Sequence, residues 1–391
     1  MLPSISPETG GPVKSVQRLA KASAAVGNEL VIYTTYWPKY DPSLSPEGSE
    51  KAGDGFTIKI FPTKASPLTG HLPHSPALLK SLRNHFQEFD IVVCHSLWNP
   101  IASSAMRILR HKLAIYAVMT HGMLDPVVLR RNRWKKIPWA RLWERLNVEN
   151  AGLIIFNTPA EERKAGLAGW PLHRTFIFPH IVELQEWKVL PPRSQFEIPF
   201  PQVRGAEVVL FVGRINWVKN LDKLIEAIAI VRQTRPSAIL VCVGPDSDGH
   251  RRELERRAQA LGIHEHILFT GLLEGEDLKA AYARGDVSAL VSQKENFGLV
   301  AADALASGLP TVVSEGVDLS QDWVSEGPVR RVKPTPPEIA GALIELLEYS
   351  QRQGVPNPEA RALAEREWGN SRILPLLDMY RLVISERTRG L

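Results

Sequence analysis

The sequence predicts an α/β protein built from two doubly wound, Rossmann-like domains, and three observations lead there. At 391 residues the chain is too long for one ordinary core, so two domains are expected. Short, β-branched apolar runs alternate with helix-patterned segments in both halves, an order that gives parallel sheets covered by helices. Between the halves, residues 177–205 are irregular and rich in proline, which marks an interruption.

In the first half the expected strands are ELVIYTT (29–35), FTIKIFP (56–62), DIVVCHS (90–96), LAIYAVMTHG (113–122) and GLIIFNT (152–158). VKSVQRLAKASAAVG, SPALLKSLRNHFQEF and NPIASSAMRILRHK supply helices between them. The chain begins with LPSIS directly before a glycine turn, so the first strand of such a domain is expected to be very short or to lie upstream. After the interruption the alternation restarts with EVVLFVG, SAILVCVG, HILFTG, VSALVSQ and TVVSEG, separated by LDKLIEAIAIVRQ, HRRELERRAQALG and EDLKAAYARG. EWGNSRILPLLDMYRLVISERT reads as two last helices. The expected organisation is a first domain over 1–185, a linker over 186–205 and a second domain over 206–370.

Composition narrows the function. Hydrophobic content of 44% and charged content of 23% fit a soluble globular chain. No apolar run of membrane-spanning length occurs and the N-terminus lacks a signal-peptide core, so a cytoplasmic protein is expected. The two cysteines, Cys94 and Cys242, sit inside strand-like apolar runs, the pattern of buried thiols rather than of a disulfide or metal site. Residues 1–180 hold 22 basic and 13 acidic residues, a net +9, while 181–391 hold 25 and 29, a net −4. The basic half implies an anionic surface or substrate. Its densest part, RRNRWKKIPWARLWERL (130–146), interleaves Arg130, Arg131, Arg133, Lys135, Lys136, Arg141 and Arg145 with Trp134, Trp139 and Trp143. That pattern suits peripheral contact with an anionic membrane as well as a solvated helix with a core-facing tryptophan stripe. No nucleic-acid module accompanies it, so nucleic acid is not an expected partner.

The most informative stretch is KENFGLVAADALASGLPTVVSEG (294–316). It follows a strand and continues as turn, helix and strand, which in a parallel sheet places the turn at the ligand-binding carboxyl edge. Glu295 falls in the turn and Asp303 about one and a half turns into the helix. The helix start around Asn296, Phe297, Gly298, Leu299 and Val300 offers unpaired backbone N–H groups to an anion. Carboxylates for hydroxyls beside donors for phosphate match the polarity of a sugar nucleotide. Further along the same edge, VVLFVG leads into GRINWVKNLDKLIEA, where Arg214 and Lys219 precede a helix. Two cations there can neutralise a departing diphosphate without a metal. Asp246-Ser247-Asp248 matches a D-x-D metal triplet, but its polar-turn setting favours a plain loop.

FVGRINWVKNLDKLIEAI, VGPDSDGHRREL, FTGLLEGEDLKAAYARGDVSALVSQ and ENFGLVAADALASGLPTVVSEG, in this order, resemble the C-terminal domain of glycosyltransferase family 4, a retaining family of GT-B fold. SPETGGPVKSV resembles its N-terminal glycine loop, and THGMLDPVVLRRNRWKK its histidine segment in exopolysaccharide-biosynthesis members. The resemblance implies two domains facing a central cleft, with a C-terminal helix, 371–391, returning to the first domain. It implies that Arg214 and Lys219 grip the diphosphate, that Glu295 accepts from the donor sugar's hydroxyls and that Phe297 to Val300 present amides to the donor. Gly10 and Gly11 would let the first loop approach the donor closely. His121 would contact the sugar's 6-hydroxyl, and Asp125 would stand on the acceptor side. Where the family has a ribose-binding Glu, this chain has Asp303, one methylene shorter.

The expected activity is retaining transfer of a hexose, glucose being the best single choice, from a UDP-sugar to a glycan or lipid-linked glycan hydroxyl in exopolysaccharide assembly. Neither metal nor other cofactor is expected, because side-chain cations face the diphosphate. The rivals are a sugar-nucleotide epimerase of the same fold and a non-catalytic sugar-nucleotide-binding protein.

Overall fold

The computed structural model describes residues 1–5, 11–36, 50–53, 55–66, 70–130, 133–246, 248–323 and 325–389. They divide into two compact units, one of Met1–Ile181 with Ser371–Leu391 and the other of Val182–Asn370.

The first unit contains α1 (Gly11–Ala25), β1 (Val31–Tyr36), β2 (Glu50–Gly53), β3 (Phe56–Pro62) and a small hairpin, β4 (Lys64–Ser66) with β5 (Gly70–His74). It continues through α2 (Pro76–His85), β6 (Val92–His95), α3 (Pro100–His111), β7 (Tyr116–Met119), α4 (Pro126–Arg130), α5 (Arg133–Trp139), α6 (Arg145–Glu149), β8 (Leu153–Phe156), α7 (Pro159–Leu167) and β9 (Thr175–Ile177). Strand order is β1-β3-β2 in one sheet and β6-β7-β8-β9, all parallel, in another. Residues 1 and 2 join them: the Leu2 N–H donates to the Tyr33 carbonyl (2.9 Å), and the His95 N–H to the Met1 carbonyl (3.0 Å). These two residues link the sheets through backbone hydrogen bonds but form no strand of their own. Helix starts are chemically marked, as where Asn99 caps α3 through Ile101 N–H (2.9 Å) ahead of Pro100.

The parallel strands sort their side chains by alternation. Tyr116, Val118, Ile154 and Phe156 pack on one face against α2 and α3 through Leu78, Leu82, Ile101 and Met106. Ala117, Met119, Leu153 and Ile155 pack on the other. A strand buried on both faces needs a cover on each.

The second unit holds α8 (Leu184–Lys188), α9 (Arg193–Glu197), β10 (Glu207–Val212), α10 (Leu221–Thr234), β11 (Ala238–Val243), α11 (Arg251–Ala260), β12 (Ile267–Gly271) and α12 (Gly275–Arg284). After these come β13 (Val287–Leu290), α13 (Leu299–Ser307), β14 (Thr311–Ser314), β15 (Val329–Val332), α14 (Pro336–Gln353) and α15 (Pro358–Trp368). Its six-stranded parallel sheet runs β12-β11-β10-β13-β14-β15, the doubly wound order whose direction of growth reverses between β10 and β13. Residues 186–205, expected as a linker, instead contain α8's end, α9 and a 3-10 turn, and belong to this unit. Trp187, Phe196 and Val203 are buried in its core, so the prolines punctuate a folded segment. β15 and α14 were not anticipated, nor α7 and β9.

The last helix, α16 (Ile373–Arg389), returns to the first unit. Ile373, Leu376, Leu377 and Val383 cover the second sheet face, and Gly152 has no Cβ because one would fall 2.8 Å from Val383 Cγ1. No helix among the described residues is long and apolar enough to cross a membrane. Because Leu376 is fully buried, Leu376→Ala should destabilise the first unit by about 2–5 kcal/mol, read as a lowered urea midpoint for its tertiary signal. An unchanged midpoint would mean that α16 is not part of that core.

Candidate active site

In the second unit, the loops leaving β10 and β13 meet at the switch point of the sheet. Gly213 and Gly244 allow the strand ends to close up: a Cβ on Gly244 would sit 2.0 Å from the Gly213 carbonyl oxygen. Beyond β10 the chain makes a 3-10 turn, Trp217–Lys219, and enters α10 through Asn220 in the left-handed region (φ 51°). The loops are stitched together, since the Asn220 amide donates to the Val291 carbonyl (2.9 Å) and the Gln293 N–H to the Val218 carbonyl (2.7 Å).

Glu295 is pinned through its own backbone. Its N–H donates to the Gly316 carbonyl and its carbonyl accepts from Asp318 N–H, both at 2.9 Å. A Cβ on Gly316 would lie 2.4 Å from the Ser292 and Gln293 carbonyl oxygens, so only glycine allows this approach. Thus fixed, the Glu295 carboxylate forms an ion pair with Lys219 Nζ. Arg214, earlier on the first loop, is exposed and makes no ion pair among the described residues.

Gly298 (φ 84°) turns the chain into α13, and a Cβ there would meet Leu290 Cδ2 at 2.8 Å. The N–H groups of Gly298, Leu299 and Val300 begin the helix, where intrahelical acceptors are missing. Asn296 is half-buried, and the Phe297 ring packs into the core 6.2 Å from Trp368, so that side chain is taken up by the core. Asp303 lies buried on α13. Two polar atoms on these loops, Asn216 Oδ1 and Ser292 Oγ, are buried without a hydrogen-bond partner among the described residues. Sequence reasoning passed over both, although Ser292 directly follows the apolar run VSALV and Asn216 lies four residues beyond β10. Asp246 is used locally: its Oδ1 accepts from His250 N–H (2.9 Å) in an exposed turn. Gly10 and Ser247 lie outside the described residues; Gly11 opens α1.

In the first unit His121 follows β7 in the left-handed region (φ 49°), with Gly122 (φ 78°) behind it. The loop is held by buried Glu161, which accepts from Thr120 Oγ1, Gly122 N–H and Asn157 N–H. His121 is the centre of a row. Its ring stacks on His95 at 5.3 Å between centroids and on His180 at 5.6 Å, and His121 Nε2 lies 3.0 Å from His95 Nδ1. The Asn157 amide donates to the Phe178 carbonyl (3.1 Å) and points a hydrogen at His180 Nδ1 (3.4 Å). An amide N–H only donates, so His180 Nδ1 is the acceptor and its proton sits on Nε2. Burial lowers the pKa of all three imidazoles, that of His121 to about 4 and those of His95 and His180 well below the usual range. His95 and His180 were missed in the sequence; each follows a strand-like run, as His121 does. Asp125 is structural here: it accepts from Val127 N–H (2.7 Å) at the start of α4 and pairs with Lys164 at 3.5 Å.

Each unit thus carries its polar cluster on the loops that follow parallel strands, where α/β proteins bind ligands. Comparison with known proteins agrees. The family described as glycosyl transferases group 1 matches residues 195–362, and the glycosyl transferase 4-like domain matches residues 10–180. The chain belongs to glycosyltransferase family 4. A D-inositol 3-phosphate glycosyltransferase of Corynebacterium urealyticum is 27% identical over 344 residues, 84% of this chain and 78% of that protein. The mannosylfructose-phosphate synthase of Agrobacterium fabrum is 34% identical, over 28% of this chain and 25% of its own length. Among solved structures, the sucrose-phosphate synthase of Thermosynechococcus elongatus aligns over 98% of both chains with TM-score 0.73 at 20% identity. Anabaena HepE in complex with UDP and glucose aligns over 100% of this chain and 98% of that one, with TM-score 0.71 at 19% identity. The glycosyltransferase accordingly has the GT-B fold.

The histidine row makes stability depend on pH. Folded pKa values below the unfolded 6.5 mean that the unfolded chain binds more protons as pH falls, so stability is full above about 6.5 and drops toward pH 4. Each histidine contributes a slope of up to about 1.4 kcal/mol per pH unit in that window. Urea midpoints between pH 7 and 5 should fall, and fall less in His180→Gln; a flat profile would show that the row is solvated.

Proposed function

We propose that the enzyme moves a hexose, with glucose the first choice, from a UDP-sugar to a hydroxyl of a lipid-linked glycan in exopolysaccharide assembly, with retention. The observation carrying this reading is the Lys219–Glu295 pair at the switch point of the second sheet, beside the start of α13. A sugar diphosphate needs what stands there. Lys219 and Arg214 meet the diphosphate, the α13 N–H groups add the helix dipole, and Glu295, once Lys219 turns to phosphate, accepts from the sugar's hydroxyls. Asp303 faces the ribose. Anabaena HepE, a protein of this fold, binds UDP and glucose, which supports the donor class.

In the transfer the bond between the anomeric carbon and the diphosphate oxygen breaks as the acceptor oxygen bonds the same face. The departing phosphate oxygen takes the acceptor's proton, so no protein nucleophile is used. Charge develops on the diphosphate, and fixed cations there stabilise the transition state more than the ground state. The neutral His121 imidazole suits contact with the sugar's 6-hydroxyl, because it holds both a donor and an acceptor nitrogen. Two side-chain cations and a helix terminus make a metal unnecessary to the scheme, so full activity is expected in EDTA.

The lipid-linked acceptor and a place on the inner face of the membrane rest on the 130–146 segment. The structure divides its tryptophans. Trp139 turns inward, its Nε1 donating to Ser103 Oγ (3.2 Å) and Glu144 Oε1 (3.1 Å), with Trp143 edge-on to it. Trp134 is 69% exposed, in company with Val127, Ile137, Leu142 and Leu146. Arg130, Arg141 and Arg145 are exposed among them, while Glu144 is buried. Such a face fits an anionic lipid surface.

Lys219→Ala should lower kcat/KM about a hundredfold or more, the loss of about 3 kcal/mol of transition-state stabilisation. UDP release in the presence of a glycan acceptor is the measurement, and undiminished turnover would remove Lys219 from the mechanism. Calorimetry with UDP separates the carboxylates. Asp303→Ala should weaken UDP by about 1–3 kcal/mol, whereas Glu295→Ala should spare UDP and cut transfer; the opposite pattern would reverse the two assignments. Vesicle binding should require anionic lipid and weaken as salt rises over the Debye range of about 10 Å at 0.1 M. Equal binding to neutral vesicles would remove the electrostatic part of the membrane contact.

A further inference from the structure

A group of cations in the first unit stands away from the histidine row. It surrounds an open recess of about 400 Å³ between α2 and α3, floored by Leu79 and Ile108. Arg83 enters it from α2, while Ser104, Arg107 and His111 enter from α3. Because β6 and β7 are parallel, α3 must cross from the edge where β6 ends, beside His95, to the edge where β7 begins. Its twelve residues rise about 18 Å on the way. Arg107 and His111 lie toward the far end, so the recess is separate from the ligand-binding edge.

Helical spacing collects these groups. Positions 104, 107, 108 and 111 on α3, and 79 and 83 on α2, follow the three- and four-residue steps that keep side chains on one face. Beneath the two stripes Leu78, Leu82, Ile101 and Ala105 share one core, which sets the helices side by side. The end of α3 is fixed as well. Leu113, left-handed at φ 54°, donates its N–H to the Arg110 carbonyl (3.1 Å), and its own carbonyl accepts from Arg387 of α16 (2.9 Å).

The charges around the recess are not balanced by acids. Lys112, at its rim, lies over the Phe86 ring at 5.9 Å from the centroid. Arg83, Arg107 and His111 are exposed and have no carboxylate, carbonyl or ring partner among the described residues. Residues 76–112 hold five basic and two acidic side chains, a net +3, and neither acid, Glu88 or Asp90, lines the recess. The carboxyl ends of α2 and α3 supply only about half a negative charge each. Two arginines sharing a recess without an acid repel each other, and an anion between them removes that cost.

We propose that the recess is a binding site for a small phosphorylated molecule other than the reactants, its phosphate clasped between Arg83 and Arg107. Guanidinium forks match phosphate oxygens two at a time. Ser104 and His111 donate further hydrogen bonds, and Leu79 and Ile108 meet the carbon part of the ligand. A flat lipid surface would touch the rim and leave that apolar floor uncovered, so the occupant is a soluble molecule.

The test uses the whole enzyme and inorganic pyrophosphate, which carries the phosphate chemistry alone. Calorimetry is run with UDP in excess, to occupy the Lys219 cluster. A single site should fill, and Arg83→Gln and Arg107→Gln should each weaken it at least about tenfold. Ser104→Asp, which sets a carboxylate among the cations, should abolish binding and serves as the deciding variant if an arginine variant fails to fold. Lys80→Gln removes a charge from α2 outside the recess and should change affinity by less than about twofold. Lys219→Ala should leave it unchanged. No binding at millimolar pyrophosphate overturns the proposal. So does an equal loss in Lys80→Gln, the mark of a diffuse field, or a loss in Lys219→Ala, the mark of binding at the other cluster. Arginines that serve only the helix ends would give lowered urea midpoints with pyrophosphate affinity intact, which also overturns it. If pyrophosphate is not bound while both arginine variants weaken attachment to phosphatidylglycerol vesicles, the face is a lipid contact and the soluble ligand is excluded.

Discussion

The ion pair between Lys219 and Glu295 is the constraint around which the second unit is arranged. Its partners are 76 residues apart in sequence and lie on loops from β10 and β13, the neighbouring strands between which the sheet changes its direction of growth. Any shift of register between those strands would separate the charges, and the surrounding glycines admit little error. Gly213 and Gly244 bring strand ends into contact, Gly316 lets the Glu295 backbone be held on both sides, and Gly298 turns the chain into α13. The pair is only partly screened, with the lysine side chain 14% and the glutamate 27% exposed. Without a ligand each charge satisfies the other, so the site avoids holding a desolvated charge alone. In the proposed reading, a diphosphate and a hydroxyl replace those partners one for one, and the ion pair holds both groups in place until they do.

The first unit follows a different electrostatic rule. No formal charge sits in its histidine row; burial keeps the imidazoles neutral, so each retains a donor and an acceptor nitrogen. A neutral row costs little to bury because its members satisfy one another through His95–His121 contact and the Asn157 amide. A charged row would place like charges 5–6 Å apart, at ring spacings of 5.3 and 5.6 Å, and would be strongly disfavoured. The ion pair of the second unit and the neutral centre of the first therefore divide the polar groups between a cation with a carboxylate and uncharged hydrogen bonding.

Much of this was legible in the sequence because it depends on local signals. Alternating apolar runs gave the strands of both sheets, Gly298 and Gly308 bounded α13, and the spacing of Glu295 and Asp303 placed one in the turn and the other on the helix. Pairings between distant loops were not legible. Nothing in GRINWVK or in KENFG says that Lys219 and Glu295 touch; that follows from strand order. His95 and His180 stayed hidden for the same reason, since three histidines 26 and 59 residues apart become a stack only when β6, β7 and β9 end at one edge. The linker expectation failed because proline density was read as irregularity, whereas Trp187, Phe196 and Val203 anchor 184–203 in a core. The basic segment misled in part because its helical pattern is broken by Pro138 and a π turn, Ala140–Glu144, which sends Trp139 inward and leaves Trp134 out.

Two buried carboxylates explain how strained loops are kept in place in the first unit. Glu161 gathers donors from Thr120, Gly122 and Asn157 around His121, and Glu144 gathers Ser103, Trp98, Trp139 and Asn147 around Trp98. The left-handed residues they support, His121, Ser96 and Trp98, each cost of order 1 kcal/mol or more, and a hydrogen bond to a charged acceptor returns about 1.5–3 kcal/mol. The balance favours the strained loop only while several donors converge on one acid. Burial raises the Glu144 pKa against the opposing pull of those same donors, so a lost donor makes the acid easier to protonate and weakens its hold on Trp98. Both acids are buried, so the polar edge of the first unit is held in place from within the core.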